Sequence, residues 1–186
     1  MAKDFHEWAF ESAGTNPLGW QQSAKDLLEA ADAVKACVVD VFDGGMHSLA
    51  AVQAMLVGMA LECLLKGMWI KKHKAWKNTV LGLTFGGKKP KVPNGKGGSV
   101  GDHELLPLAD AAEVSLKQGE RAVLQRLSGF IKWGGRYPIP TTADQMKPSS
   151  TGGGPTLAPN YVSAQELKLA EDLARRLMTE VEPWRP

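Results

Sequence analysis

The stretch from Met46 to Ile70, MHSLAAVQAMLVGMALECLLKGMWI, limits what this chain can become more than any other. Leu49, Val52, Leu56, Ala60, Leu64 and Met68 recur at three- and four-residue spacing, which is the period of a helix. Ala51, Met55, Met59 and Cys63 fill much of the opposite surface. A helix apolar nearly all round has little face left for water, so the pattern predicts a helix inside the fold with others packed around it. Gln53 and Glu62 interrupt the run and lysines follow at once. On those grounds, and on its length, the segment is expected to be core and not a membrane span. Its methionines read as core filler; the alternative is a promiscuous Met-rich groove.

A chain of 186 residues is long enough for one substantial core and short for two, so a single domain is expected over 1–186 with its core at about 20–180. Cys37 and Cys63 both fall in helical patterns, which suits buried thiols in a reducing compartment. The N-terminus, MAKDFHEWAF, has early acids and no apolar signal core, so a cytoplasmic location is expected. Residues 1–19 read as an N-terminal extension, and the aromatics of Met1 to Trp20, namely Phe5, Trp8, Phe10 and Trp20, are expected to dock on the bundle; a dimer contact is the alternative.

Four further helices follow from periodicity. From Trp20 to Phe42, Ala24, Leu27, Leu28, Ala31, Val34, Val38, Val41 and Phe42 share one stripe, and Gly44-Gly45 ends the helix. So short a link predicts an antiparallel hairpin with the central helix. A third helix opens at GDHELL with Asp102 as N-cap, carries Leu105, Leu108, Ala109, Ala112 and Leu116 inward, and ends near Lys117. A fourth runs from Glu120 to Trp133 on Val123, Leu124, Leu127, Phe130 and Ile131. The last, Ser163 to Glu180, begins with a Ser163/Glu166 capping box. Between them, 76–101 and 134–159 are rich in Gly, Pro and polar residues and read as long irregular loops. No run alternates well enough to predict a sheet. The expected fold is all-α, a four- to five-helix up-and-down bundle with two long loops.

Charge is unevenly placed. From Met1 to Asp43 eight acids face three lysines, whereas Cys63 to Gly101 holds no acid. That stretch carries Lys66, Lys71, Lys72, Lys74, Lys77, Lys88, Lys89, Lys91 and Lys96. Arg121 to Ala143 is also acid-free, with Arg121, Arg126, Lys132 and Arg136. Segregated charge of this kind attracts anionic partners, although lysine-rich loops are also common as plain solvated surface. Lys66, Lys71, Lys72, Lys74, Lys77, Lys88, Lys89, Arg126 and Lys132 are the candidate nucleic-acid contacts.

Three motifs stand in a fixed order: Leu61-Glu62-Cys63-Leu64-Leu65-Lys66, then Gly101-Asp102-His103-Glu104-Leu105, then Gly135-Arg136-Tyr137-Pro138. That order resembles the HEPN superfamily of small all-helical domains. The resemblance covers roughly Trp20 to Pro138. It implies association with RNA or nucleotides, homodimerisation through the bundle, and in many members metal-independent RNA cleavage. It also implies a toxin–antitoxin or defence setting with an antitoxin-like protein partner. The catalytic signature of such proteins is an arginine followed four to six residues later by a histidine. Arg136 matches the arginine, but no histidine follows it, since His103 is the last in the chain. Either the branch is non-catalytic, or His103 serves from another helix.

The chemistry points to the same residues. RNA cleavage through the 2′-hydroxyl needs a base, an acid and a cation for the phosphorane charge. Histidine suits the first two near neutral pH, and arginine offers a planar fork for phosphate. His103, Arg136 and Tyr137 supply such a set if the third helix start meets the fourth helix end. His103 is also expected at a helix N-terminus, where anions are favoured. Glu62, in an otherwise apolar helix, must be paired. Arg136, His103 or a backbone donor are the candidate partners, and the functional alternative is that Glu62 orients one of them. Lys66, one turn on, is placed for an i,i+4 pair. The four histidines lack the spacing of a di-metal bundle, and Gly152 to Gly154 lack the rest of a phosphate loop, so no metal and no cofactor is implied. The other function class open to such a chain is a non-catalytic helical interaction or oligomerisation module.

Overall fold

The computed structural model describes residues 17–38, 47–73, 103–134 and 162–181, together with 5, 9, 12 and 14–16. These form an all-α bundle of five helices: α1 (Pro17–Val38), α2 (His47–His73), α3 (Leu105–Ala111), α4 (Glu120–Gly129) and α5 (Ala164–Val181). A π-helical turn, Phe130–Gly134, continues α4. Among the described residues there is no strand. The expected loops at 76–101 and, past Gly134, at 135–159 lie outside the described residues, as do 39–46.

As its composition requires, α2 is central and touches each of the other helices. Ala54, Val57, Ala60, Leu61, Leu64 and Leu65 are wholly buried in it. Burying one such Leu stabilises the fold by roughly 1.5–3 kcal/mol. By length and composition Leu49–Lys72 does qualify as long and apolar enough to cross a membrane. That corrects the expectation from its length. Half of the qualifying window is buried inside the bundle.

Side-chain contacts fix the helix directions. At the start of α1, Pro17 and Trp20 lie against Gly67 near the end of α2, while Lys35 and Gln53 meet on Glu171 at the other end, so α1 and α2 are antiparallel. Lys71 reaches the Glu180 carbonyl, which makes α5 run with α2. The pairs Arg126–Glu166 and Arg176–Glu120 make α4 antiparallel to α5. The Leu105 amide donates to Ser128 Oγ, which sets the start of α3 beside the end of α4. His103 on Glu62 and Glu113 on Lys72 make α3 parallel to α2, the one parallel step between consecutive helices.

Local signals account for most boundaries. The capping box is present: the Glu166 amide donates to Ser163 Oγ at 3.1 Å, and the Ser163 amide donates to Glu166 Oε2 at 2.9 Å. Gly119, at φ 88°, forms the left-handed entry to α4. The third helix is shorter than its apolar spacing predicts. It ends at Ala111 and not near Lys117, because Glu113 turns left-handed at φ 54°. Its amide donates back to the Asp110 carbonyl, and the Val114 amide to the Ala109 carbonyl at 3.0 Å, a Schellman stop made without glycine. Asp102 lies outside the described residues. Glu104 stands at the N-cap and makes no side-chain cap bond. Pro107 is the third helical residue, where its missing N–H costs nothing. Of the N-terminal aromatics, Trp20 docks, packing with Trp69 and Ile70 and donating its indole N–H to the Gly14 carbonyl at 2.9 Å. Phe5 is 68% exposed, and Trp8 and Phe10 lie outside the described residues.

Helix α2 approaches α4 where it has no side chain. A Cβ on Gly58 would stand 2.8 Å from Ile131 Cγ1 and 3.5 Å from Leu127 Cβ. A glycine-to-alanine change inside a helix ordinarily gains about 1 kcal/mol. Here the overpacking cost, about 1–3 kcal/mol, is set against it. Gly58→Ala is therefore expected to destabilise on balance, read as a lower urea midpoint at unchanged slope, and a gain in stability would contradict the close approach.

Candidate functional site

The core helix carries a carboxylate that the apolar pattern cannot accommodate alone. Glu62 is 7% exposed, one turn before Lys66 on α2. Its Oε1 accepts from Lys66 Nζ at 2.6 Å, and its Oε2 meets His103 Nδ1 at 2.8 Å. Of the three partners expected for Glu62, His103 is in place. Lys66 is more than a surface i,i+4 partner: its side chain is 14% exposed, and its ammonium also lies 5.3 Å from the Trp20 ring centroid, within cation–π range.

Burial pushes the Glu62 carboxyl up, but the His103 hydrogen bond and the Lys66 charge outweigh it and hold the group below its ordinary value. Glu62 is thus ionised at neutral pH and can only accept. His103 Nδ1 must then carry a proton, and in a neutral imidazole that arrangement leaves Nε2 as the acceptor. The His103 side chain is 41% exposed, so this is a surface imidazole oriented by a buried carboxylate. Next to it, burial and the Glu62 charge push the Cys63 thiol up to about 11, with Lys66 opposing, which leaves the thiol protonated and weakly nucleophilic at neutral pH.

The backbone delivers His103 at a cost. It precedes α3 by two residues, in the left-handed region at φ 63°. Histidine tolerates that region better than most residues, yet such a conformation still costs on the order of 1–3 kcal/mol. The expected helix N-terminus is corrected on two counts: α3 has only seven residues, and His103 lies outside it.

Lys132 pairs with Glu104, next to His103, so the end of α4 does meet the start of α3. Arg136 and Tyr137 lie outside the described residues, as do Lys74, Lys77, Lys88 and Lys89. The other candidate cations each hold a protein partner: Lys71 the Glu180 carbonyl, Lys72 the Glu113 carboxylate, Arg126 the Glu166 carboxylate at 2.8 Å. Among the described residues, no group of three or more His, Cys, Asp or Glu gathers in a way that could hold a metal ion.

Two further buried carboxylates escaped the sequence reading. Glu120, 2% exposed, accepts from Arg176 Nη2 at 2.8 Å and from the Lys117 amide at 2.6 Å. Glu171, 3% exposed, accepts from Lys35 Nζ at 3.0 Å and from Gln53 Nε2 at 3.1 Å. Both fall on the apolar stripe of their helix, and that was the available signal. Ser128 and Glu104 were missed as well.

Set against known proteins, the chain matches no family model, no curated protein and no solved structure.

Because the Glu62 carboxyl is depressed in the folded state, its stabilising contribution is complete above the unfolded carboxylate value and disappears as pH falls through the folded one. Glu62→Gln is expected to cost on the order of 1–3 kcal/mol at neutral pH. Urea unfolding from pH 7 downward should show the gap between wild type and variant closing in acid. A gap that stays constant across the range would contradict an ionised Glu62.

Proposed function

We propose that this chain is a nucleic-acid- or nucleotide-binding protein of the HEPN type, and that His103 equips it for metal-independent RNA cleavage in a toxin–antitoxin or defence setting. The observation that carries the reading is the surface imidazole fixed through Nδ1 by an ionised, buried Glu62. In this scheme Nε2 takes the proton of a ribose 2′-hydroxyl. The 2′-oxygen bonds to phosphorus, the bond to the 5′-oxygen breaks, and the imidazolium returns its proton to the leaving oxygen. The products are a 2′,3′-cyclic phosphate and a free 5′-hydroxyl. Arg136 is assigned to the phosphorane charge and Tyr137 to the phosphate or leaving group, both on sequence grounds. The acid-free run from Cys63 to Gly101 supports an anionic partner.

A second reading, a non-catalytic helical module that forms homo- or hetero-oligomers, draws on one feature. Met59 stands 36% exposed on α2, flanked by the partly buried Met55, Leu56 and Cys63.

Labelled RNA separates the two. Wild-type protein is expected to retain RNA at low salt, lose affinity as salt rises, and cleave it without added metal. His103→Ala should lower cleavage by about 10²–10⁴-fold, the ordinary contribution of a general base, and Arg136→Ala should also reduce it. Equal rates in wild type and both variants would eliminate this site, and a stable oligomer with no RNA retention would favour the second reading.

A further inference from the structure

His103 holds a backbone conformation that persists only where neighbours over-determine it. Glu62 on α2 holds the ring. The two residues that follow His103 are both gripped by α4 and its π turn. The Leu105 amide donates to Ser128 Oγ at 3.0 Å, and that buried hydroxyl donates on to the Leu124 carbonyl at 3.0 Å. Glu104 is paired with the Lys132 ammonium. Ser128 and Lys132 are about one turn apart, so neighbouring positions of one helix hold consecutive residues of the incoming chain.

We propose that Ser128 and Lys132 are positioning residues for His103: by clamping residues 104 and 105 to α4 they keep Nδ1 on Glu62 and leave Nε2 available to substrate. The inference rests on His103 being the base, as read above, but it concerns the free protein. It gives Lys132 a task other than the phosphate contact suggested by its place in a basic run. The two tasks differ in what they need. A phosphate contact works without Glu104, so removing Glu104 would leave it in place. A clamp needs both partners, so either loss has the same effect.

The test is NMR of isotope-labelled full-length protein without RNA. Ring ¹⁵N shifts report which imidazole nitrogen is protonated, and the one-bond Cα–Hα coupling reports a positive φ. Wild type is expected to show His103 protonated at Nδ1 in the neutral ring. Lys132→Gln and Glu104→Gln should each shift the ring toward a mixture of tautomers and weaken the positive-φ signature. The double variant should do no more than either single one, and Lys132→Arg should restore the wild-type pattern. Ser128→Ala should shift it further. If Ser128→Ala fails to fold, the partly exposed Lys132 and Glu104 decide alone. An unchanged ring signature in both Lys132→Gln and Glu104→Gln overturns the proposal. A wild type that ignores RNA, yet shows the Nδ1 signature and its loss in Lys132→Gln, supports the clamp while removing the function.

Discussion

A carboxylate set in the middle of an apolar helix is the constraint on which this arrangement depends. An unpaired charge at Glu62 would face a desolvation cost of several kcal/mol. It is met from two directions. Lys66 is supplied by the same helix one turn later and needs no tertiary structure. His103 is supplied by a chain that has left α2 at His73 and returned, and it reaches Glu62 only by turning left-handed just before α3. Pairing Glu62 therefore fixes where α3 begins along α2, and the Glu113–Lys72 pair sets its parallel direction. The requirement explains why a strained residue is placed ahead of a seven-residue helix with no side-chain cap of its own.

Glu120 and Glu171 repeat the logic elsewhere. Apolar contacts hold α2 against its neighbours strongly but without direction, and tolerate sliding by a fraction of a turn. An ion pair at about 3 Å does not. Glu171 ties α5 to the end of α1 through Lys35 and to the start of α2 through Gln53. Glu120 ties α4 to α5 through Arg176. Each lies where helices must be set in register; both oxygens of Glu171 are met, whereas on Glu120 the Lys117 amide and Arg176 converge on Oε2. The close approach at Gly58 acts in the opposite sense: it lets α2 and α4 come together because nothing is there.

The parts of this structure legible in the sequence were those governed by local period and local caps. The central helix follows from an apolar pattern that only a surrounded helix can use. The antiparallel α1–α2 hairpin follows from Gly44-Gly45, and the start of α5 from Ser163 and Glu166. The end of α3 was not legible. Ala112 and Leu116 keep the helical spacing, and the chain stops at Glu113 through a left-handed turn that a non-glycine residue gives no warning of. The pairing of Glu62 was legible as a necessity and its partner as one of three, because a buried charge must be met but the sequence does not say by which chain segment. The role of Ser128 was not legible. A serine on a helix stripe normally satisfies itself on the preceding turn, and only the tertiary approach of Leu105 gives its oxygen a second task.

Why the chemistry is assigned to Glu62, and not to Glu120 or Glu171, follows from the partner and not from the carboxylate. All three are buried and all three are paired. The partner of Glu120 is an arginine and that of Glu171 a lysine, side-chain types that do not exchange protons near neutrality. Neither can give up or take a proton there, so those pairs can only hold the fold together. Histidine is the side chain that changes charge near neutrality with little perturbation. His103 is also turned so that one ring nitrogen is committed to the protein while much of the side chain remains in contact with solvent. A wholly structural pairing of Glu62 would be satisfied by Lys66 together with any fixed donor. The use of an exposed imidazole, delivered on a strained backbone and clamped from α4, adds cost without adding core. That surplus is what separates the Glu62 cluster from the other two buried carboxylates and is why the proposed proton transfer is placed there.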